Sequence, residues 1–285
     1  MEFLKFETSC SFATYVQLQI LLSAIAYDKI CVVITLIGIS ETSAVRTIHR
    51  VTLSIAELHM EYIKFPSHSN HILRCQIENF KLSGFVRVIG AIDCFHVRIR
   101  SYGGENSELF RNRKGFFSIN VQAIVNSRLQ IMDLVARWPG SIHDATIFDN
   151  SRIKKRFENG EFGNAILLGD SGYPNLPYLL TPLNNSRTRG DVLYNEAHIR
   201  TRCMVERCFG ILGKKFPILT MGSRFWKPSE TLPVITACVI LHNLERCSSA
   251  TENCDIYNNA ISNLEENLHE QERLYIIENY FERLL

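Results

Sequence analysis

The nine cysteines of this 285-residue chain form no Cys-x-x-Cys pair. They are scattered at Cys10, Cys31, Cys75, Cys94, Cys203, Cys208, Cys238, Cys247 and Cys254, and their number is odd. That pattern argues against a disulfide framework and fits a reduced cytosolic or nuclear compartment. Cys203 and Cys208 are poorly spaced for a zinc ligand pair. A long apolar run is also lacking. Asp28-Lys29 interrupts the stretch from Val16 to Ile39, and the unbroken piece Ile30–Ile39 falls far short of the ~20 residues that span a bilayer. A buried helix pair is expected there, with no membrane partner. No basic segment opens the chain, so no signal peptide is expected. Internal repeats are absent as well.

What is present is ordinary globular composition, 46% hydrophobic and 21% charged. A core of that size needs no covalent staples. The net charge of +2 hides a strong division. Residues 1–80 carry 6 Lys/Arg and 7 Asp/Glu, residues 81–230 carry 22 and 13, and residues 231–285 carry 3 and 9. The middle segment is therefore distinctly basic, as a polyanion-binding surface requires.

Leu18, Leu21, Leu22 and Ile25 recur at helical spacing. Gly38-Ile-Ser-Glu-Thr-Ser-Ala then punctuates the chain. Ser40 is placed to N-cap a second helix through Val45, Ile48, Val51 and Ile55, which carries Arg46, His49 and Arg50. This is the outline of a helix-turn-helix, and any small helical bundle has the same outline. Residues 64–85 read as a connector. Strands are predicted over Val86–Val97, Phe116–Val125 and Gln130–Ala136, and a short one over Ala165–Gly169. Asp144–Phe157 reads as a helix and 174–194 as a loop. Residues 196–215 and 229–246 read as helices. The acidic tail, with an amphipathic stretch from Leu264, is expected to be a mobile helix. This order predicts an α/β fold, a central sheet covered by helices.

Asp93 lies inside the apolar strand Val88-Ile-Gly-Ala-Ile-Asp-Cys. A buried carboxylate costs several kcal/mol unless something pairs with it. Asp170 ends another apolar strand, Ile166-Leu-Leu-Gly-Asp, and Ser171-Gly172 lets the chain turn there. Aspartates at strand ends in one sheet can converge at one edge. Glu206 adjoins the apolar face of a later helix, formed by Val205, Phe209 and Leu212. Asp144 opens a helix, where a cap and a ligand are both reasonable readings. Converging carboxylates repel unless cations lie between them, and hard oxygen donors suit Mg²⁺ or Mn²⁺. Two such ions about 4 Å apart can drive phosphodiester cleavage.

The same residues resemble a family. Val88-Ile-Gly-Ala-Ile-Asp-Cys-Phe-His-Val, Phe110-Arg-Asn-Arg-Lys-Gly, Trp138-Pro-Gly-Ser-Ile-His-Asp-Ala, Leu168-Gly-Asp-Ser-Gly-Tyr, Leu180-Thr-Pro-Leu, Tyr194-Asn, Val205-Glu-Arg-Cys-Phe-Gly and Leu241-His-Asn are similar, in order, to the PIF/Harbinger DDE transposases and the nucleases derived from them. The 35 residues between Asp170 and Glu206 resemble DDE spacing. The resemblance implies a ribonuclease-H-like central mixed sheet flanked by helices. It implies metal binding by Asp93, Asp144, Asp170 and Glu206, with catalysis by Asp93, Asp170 and Glu206. It further implies a DNA substrate, a separate Myb-like DNA-binding partner and a nuclear location, with the cytoplasm second. Residues 1–80 then form a degenerate helix-turn-helix-like region, 81–247 the catalytic domain and 248–285 a helical tail. The chain departs from the family around Tyr27–Val32, where a polar, Gly-containing turn is usual, and at Gly213, where a basic residue is usual.

Arg111, Arg113 and Lys114 form a basic loop suited to phosphate contact or to a plain solvated hairpin. Arg207 is placed to orient Glu206 or to pair elsewhere on the surface. His143 reads as a capping or packing residue before a proton carrier, Trp138 as a packing residue, and His242-Asn243 as bonded within the last core helix. The leading expectation is a metal-dependent DNA endonuclease with residual transposase chemistry. The alternative is a domesticated DNA- or protein-binding module whose catalysis has lapsed. A metal phosphoesterase for other substrates is disfavoured by the basic middle segment.

Overall fold

The structure is a computed structural model that describes residues 40–101, 103–104, 106–222, 228–248 and 272–284. The expectations for Val16–Ile39, including the first helix of the helix-turn-helix outline, lie outside those residues, as does the start of the amphipathic stretch at Leu264. Among the described residues no helix is long and apolar enough to cross a membrane.

Helix α1 (Glu41–Glu57) begins as expected. The Ser40 hydroxyl accepts a hydrogen bond from the Ser43 N–H at 3.2 Å, which satisfies one of the helix's first free donors. Ile48 is buried in the main core with Val51 and Ile55 packed beside it, and Arg46 and Arg50 are exposed. After a single helical turn, α2 (His59–Tyr62), the segment read as a connector holds a helix of 15 residues, α3 (Ser69–Ser83). Its buried face carries Cys75, Gln76 and Asn79, whereas Phe80 and Leu82 are exposed. Polar residues inside and apolar ones outside erase the period that marks a helix. Amide groups do the work there: Gln76 donates to Asn164 Oδ1 at 3.3 Å, and Asn79 donates to the Cys75 carbonyl at 2.8 Å.

The five strands are β1 (Val88–Arg98), β2 (Ser118–Val125), β3 (Ile131–Pro139), β4 (Ile166–Leu168) and β5 (Leu179–Leu180), in the order β3-β2-β1-β4-β5. β1–β2 and β2–β3 are antiparallel, while β1–β4 and β4–β5 are parallel. This mixed sheet flanked by helices is the ribonuclease-H-like α/β layout expected. β5 falls where a loop was expected. Two residues cannot show alternation, and only pairing with β4 defines them as strand.

Each face of the sheet packs its own helices. On one face Ala91, Val121 and Ala123 meet Val205 and Cys208 of α6 (Arg189–Lys215) and Ile235 and Val239 of α8 (Pro228–Ser248). On the other, Ile92 and Ile124 meet Cys75, Phe148, Ile153 and Phe157. The helix expected over Asp144–Phe157 is two helices, α4 (Asp144–Asp149) and α5 (Arg152–Glu158). Ser151 breaks it, accepting from the Lys154 N–H at 3.2 Å as the cap of α5. A helical turn, α7 (Ile218–Met221), follows α6. The described end of the tail is packed where a mobile helix was expected. In α9 (Glu272–Ile276) and the wider turn after it, Ile276, Ile277 and Phe281 are buried with Phe85 and Tyr194.

Helix α6 starts seven residues before the predicted boundary, at a capping box the loop-like composition concealed. Asp191 N–H donates to Thr188 Oγ1 at 3.0 Å, and Thr188 N–H donates to Asp191 Oδ2 at 2.9 Å. The helix is then tied to the segment after β5. The Tyr194 hydroxyl donates to the Thr181 carbonyl at 3.0 Å, and Asn195 bonds both the N–H and the carbonyl of Leu183 at 2.8 and 3.0 Å. Helix α8 is held similarly. His242 and Asn243 reach outside their helix, contrary to the expectation of bonds within it. His242 Nε2 lies 2.7 Å from the Leu129 carbonyl, at the β2–β3 turn. Asn243 accepts from the Ile131 N–H at 2.9 Å and donates to the carbonyls of Ile131 and Tyr62 at 2.7 and 2.9 Å.

Two predictions follow from these contacts. Asn243→Ala strands the buried N–H and carbonyl of Ile131 and should lower unfolding free energy by about 2 kcal/mol or more, read from the urea midpoint. Asp133 of β3 has a buried Oδ2 with no hydrogen-bond partner, and burial pushes its carboxyl up to about 6 against the pull of Arg156 and Arg152. Its folded pKa exceeds the unfolded value. The stability it contributes is therefore fully present below the ordinary aspartate range and lost as pH rises through about 6. Asp133→Asn should raise the melting temperature by about 2–4 °C at pH 7.5 and leave it unchanged at pH 3.5.

Candidate active site

Two parallel strands bring the first two carboxylates together. Ala91 of β1 is level with Leu168 of β4, so Asp93 and Asp170 are each two residues further on, Asp93 still within β1 and Asp170 just past the end of β4. Asp93 marks the point where β1 emerges from the core: Val88 to Ile92 are buried and the next four residues are only partly so. Its Oδ1 accepts from the Cys94 N–H at 2.7 Å. Asp170 accepts from the Gly172 N–H at 2.9 Å through its own Oδ1, which closes the turn after β4.

Asp144 approaches from the opposite face. His143, not Asp144, occupies the N-cap position of α4, and its side chain makes no capping bond. Asn120 of β2 holds the chain here, donating to Asp144 Oδ1 at 2.8 Å and to the Ile142 carbonyl at 2.9 Å. The Cys94 thiol sits between Asp144 and the Tyr173 hydroxyl, which is 3.4 Å from its sulfur. Burial, with Asp144 beside it, pushes that thiol far above its usual range, so Cys94 packs as a neutral group. Gly140 makes the approach possible. A Cβ there would stand 2.7 Å from the Phe110 carbonyl oxygen and 2.8 Å from that of Ser118.

These neighbours load Asp93 with negative charge. Burial comes first in pushing its carboxyl up to about 6, and Asp170 and Asp144 push the same way. The Cys94 N–H and Arg202 oppose them. Arg202 was not singled out in the sequence, although its spacing four residues before Glu206 is the spacing of a helical ion pair. Its Nη1 lies 3.2 Å from Asp93 Oδ2 and its Nη2 lies 2.5 Å from Glu206 Oε1. Glu206 therefore joins the site through Arg202, and the arginine that orients it is this one, a turn before Arg207. Glu206 itself stays half exposed, beside the buried Val205 and Cys208. Among the described residues no three His, Cys, Asp or Glu side chains are arranged to hold a metal ion. A guanidinium bridges two of the four carboxylates instead.

The donor set still fits a divalent cation. It offers carboxylate oxygens, the hard ligands that Mg²⁺ and Mn²⁺ prefer. Its most buried member, Asp93, is held among like charges that a cation would neutralise. Of the basic loop between β1 and β2, Arg111 is turned onto Glu108 at 2.7 Å and lies over the Phe117 ring. Arg113 lies against His143, next to Asp144, and Lys114 is exposed. Arg113 and Lys114 are thus exposed, Arg113 on the Asp144 side.

The sequence profile of the DDE superfamily endonucleases matches residues 92–243, which include all four carboxylates. The chain belongs to the DDE superfamily endonucleases. Its Harbinger-type motifs place it with the transposase-derived members. It is 33% identical over 210 residues to a Homo sapiens protein named "Putative nuclease HARBI1", an alignment covering 73% of this chain and 60% of that one. The Rattus norvegicus protein of the same name is 34% identical over 210 residues with the same coverage. "Protein ALP1-like" of Arabidopsis thaliana is 27% identical over 224 residues, covering 73% of this chain and 54% of its own length. The chain thus spans about 60% of the length of the curated nuclease relatives it matches. No solved structure matches it.

The Gly140 contact generates a stability test. Gly140→Ala should cost about 1–3 kcal/mol by forcing a methyl group into a filled turn. Gly210→Ala, in open space on α6, should be neutral or stabilising by helix propensity. Differential scanning calorimetry of the two variants checks both signs.

Proposed function

We propose that this chain is a divalent-metal-dependent DNA endonuclease derived from a Harbinger transposase, hydrolysing phosphodiester bonds. The observation that carries this reading is the gathering of Asp93, Asp144 and Asp170, from three separate elements, with Glu206 of α6 at the rim. When bound, Mg²⁺ or Mn²⁺ would activate the attacking water and stabilise the leaving oxygen. Asp93, Asp144, Asp170 and Glu206 would hold the metal, with Asp93, Asp170 and Glu206 as its catalytic set. The backbone N–H groups of Cys94 and Gly172 engage one oxygen of Asp93 and of Asp170, which fixes how each carboxylate presents its other oxygen. Asn120 fixes Asp144 in the same way. Arg113 and Lys114 are assigned to the DNA backbone, where cations position the duplex without reading its sequence. DNA as substrate implies a nuclear protein, and a Myb-like partner would supply the sequence reading.

One observation favours a second reading, a binding module without catalysis: Arg202 stands between two of the carboxylates. Supercoiled-plasmid nicking with Mn²⁺ or Mg²⁺ decides between the two. The wild type should nick, and Asp170→Asn should lose at least about a hundredfold in rate, the scale expected when a ligand to the catalytic metal is neutralised. Equal nicking by both proteins, or none by either, sinks the nuclease reading.

A further inference from the structure

The geometry points to Arg202 as an internal cation that occupies the metal's place: it competes with the divalent ion for Asp93 Oδ2 and must leave that oxygen when the ion binds. This rests on the metal-dependent reading above and goes beyond it, because it gives the chain a built-in resistance to loading.

The two oxygens of Asp93 are unequal. Oδ1 is taken by the adjacent Cys94 N–H at 2.7 Å, a contact fixed by the backbone. Oδ2 is the oxygen left for a cation, and Arg202 Nη1 is on it at 3.2 Å. The same guanidinium reaches Glu206 through its other nitrogen. Arginine is suited to this position because its planar fork serves two carboxylates at once. The pairing is also sheltered, with only 21% of the Arg202 side chain and 18% of the Asp93 side chain exposed, so solvent screens it less than a surface pair.

A single positive charge among Asp93, Asp144, Asp170 and Glu206 relieves their repulsion while the metal is absent. A divalent ion relieves it better, and it needs Asp93 Oδ2 and Glu206, the two groups Arg202 holds. Arg202 sits on α6, one turn from Glu206, with 21% of its side chain exposed. Metal binding and release of Arg202 from Asp93 are then one exchange, in which the metal's apparent affinity is reduced by the strength of the arginine's hold.

Titration calorimetry of the metal-free full chain with Mn²⁺ tests this, using the wild type, Arg202→Gln, Arg202→Lys, Arg207→Gln and Asp170→Asn. Arg207 lies on the same helix and is exposed, so its loss removes the same charge without touching Asp93. Arg202→Gln should bind Mn²⁺ on the order of tenfold more tightly, equivalent to about 1.4 kcal/mol. Arg202→Lys keeps the charge but loses the fork, and should fall between that variant and the wild type. Arg207→Gln should change affinity by less than about threefold, as a screened surface charge does. Metal-free Arg202→Gln should melt below the wild type, and Mn²⁺ should raise its melting temperature by the larger increment. Unchanged or weaker binding by both Arg202 variants, or equal tightening by Arg207→Gln, overturns the proposal while leaving the metal reading intact. Absence of Mn²⁺ binding in every variant, or binding undiminished in Asp170→Asn, removes the metal reading and this proposal with it.

Discussion

Parallel strands that lie side by side hold their residues level, and β1 and β4 do so with Ala91 beside Leu168, where β4 stops and β1 continues to Arg98. Everything at the candidate site depends on that pairing. The strand β4 is only three residues long and wholly buried, so it has little freedom to slip. A shift of one residue would turn its side chains to the wrong faces and take Asp170 away from Asp93. The buried core on both faces of the sheet sets the register, and the register sets the distance between two like charges. Burial first, and Asp170 beside it second, push the carboxyl of Asp93 upward. In this sense the packing of apolar side chains creates the demand for a cation.

The motifs that mark the family divide into two kinds. Asp93, Asp144, Asp170 and Glu206 are the carboxylates of the candidate site. The others hold the scaffold that aims them. Leu180-Thr-Pro-Leu and Tyr194-Asn meet across space: Tyr194 and Asn195 bond Thr181 and Leu183, which fastens the start of α6 to the exit of β5. Glu206 lies three turns further along that helix, so its position is a consequence of this clamp. The segment Trp138-Pro-Gly contributes through Gly140, whose missing side chain lets the chain turn against Phe110 and Ser118 before it reaches Asp144.

Much of this was legible in the residues. The long apolar runs ending in Asp93 and Asp170 marked β1 and β4, because a carboxylate inside such a run needs a reason to be there. Ser40 marked the start of α1, since a hydroxyl before an apolar period is a helix-start signal with a mechanism. Other parts were hidden by definite physical causes. Helix α3 buries Gln76 and Asn79 and exposes Phe80 and Leu82, so its period does not show. Strand β5 is defined by its partner alone. The contacts of Asn243 lie with residues far away in the chain, which no local pattern reports. Arg202 was different. Its spacing from Glu206 was visible, but its reach to Asp93 required knowing that α6 packs against β1.

The reach of Asn243 has a further consequence in time. Its amide joins residues 112 and 181 positions earlier in the chain. A ribosome delivers β3 and the first helices long before it delivers α8. Until then the start of β3 has no partner for its N–H or its carbonyl beyond solvent, and the core that α8 covers stays open. The face of the sheet that α8 covers is thus completed late, and the cluster of Ile276, Ile277 and Phe281 with Phe85 and Tyr194 later still. Chains interrupted before α8 would present an unfinished apolar face to chaperones and proteases, and would leave the candidate site on an incomplete core.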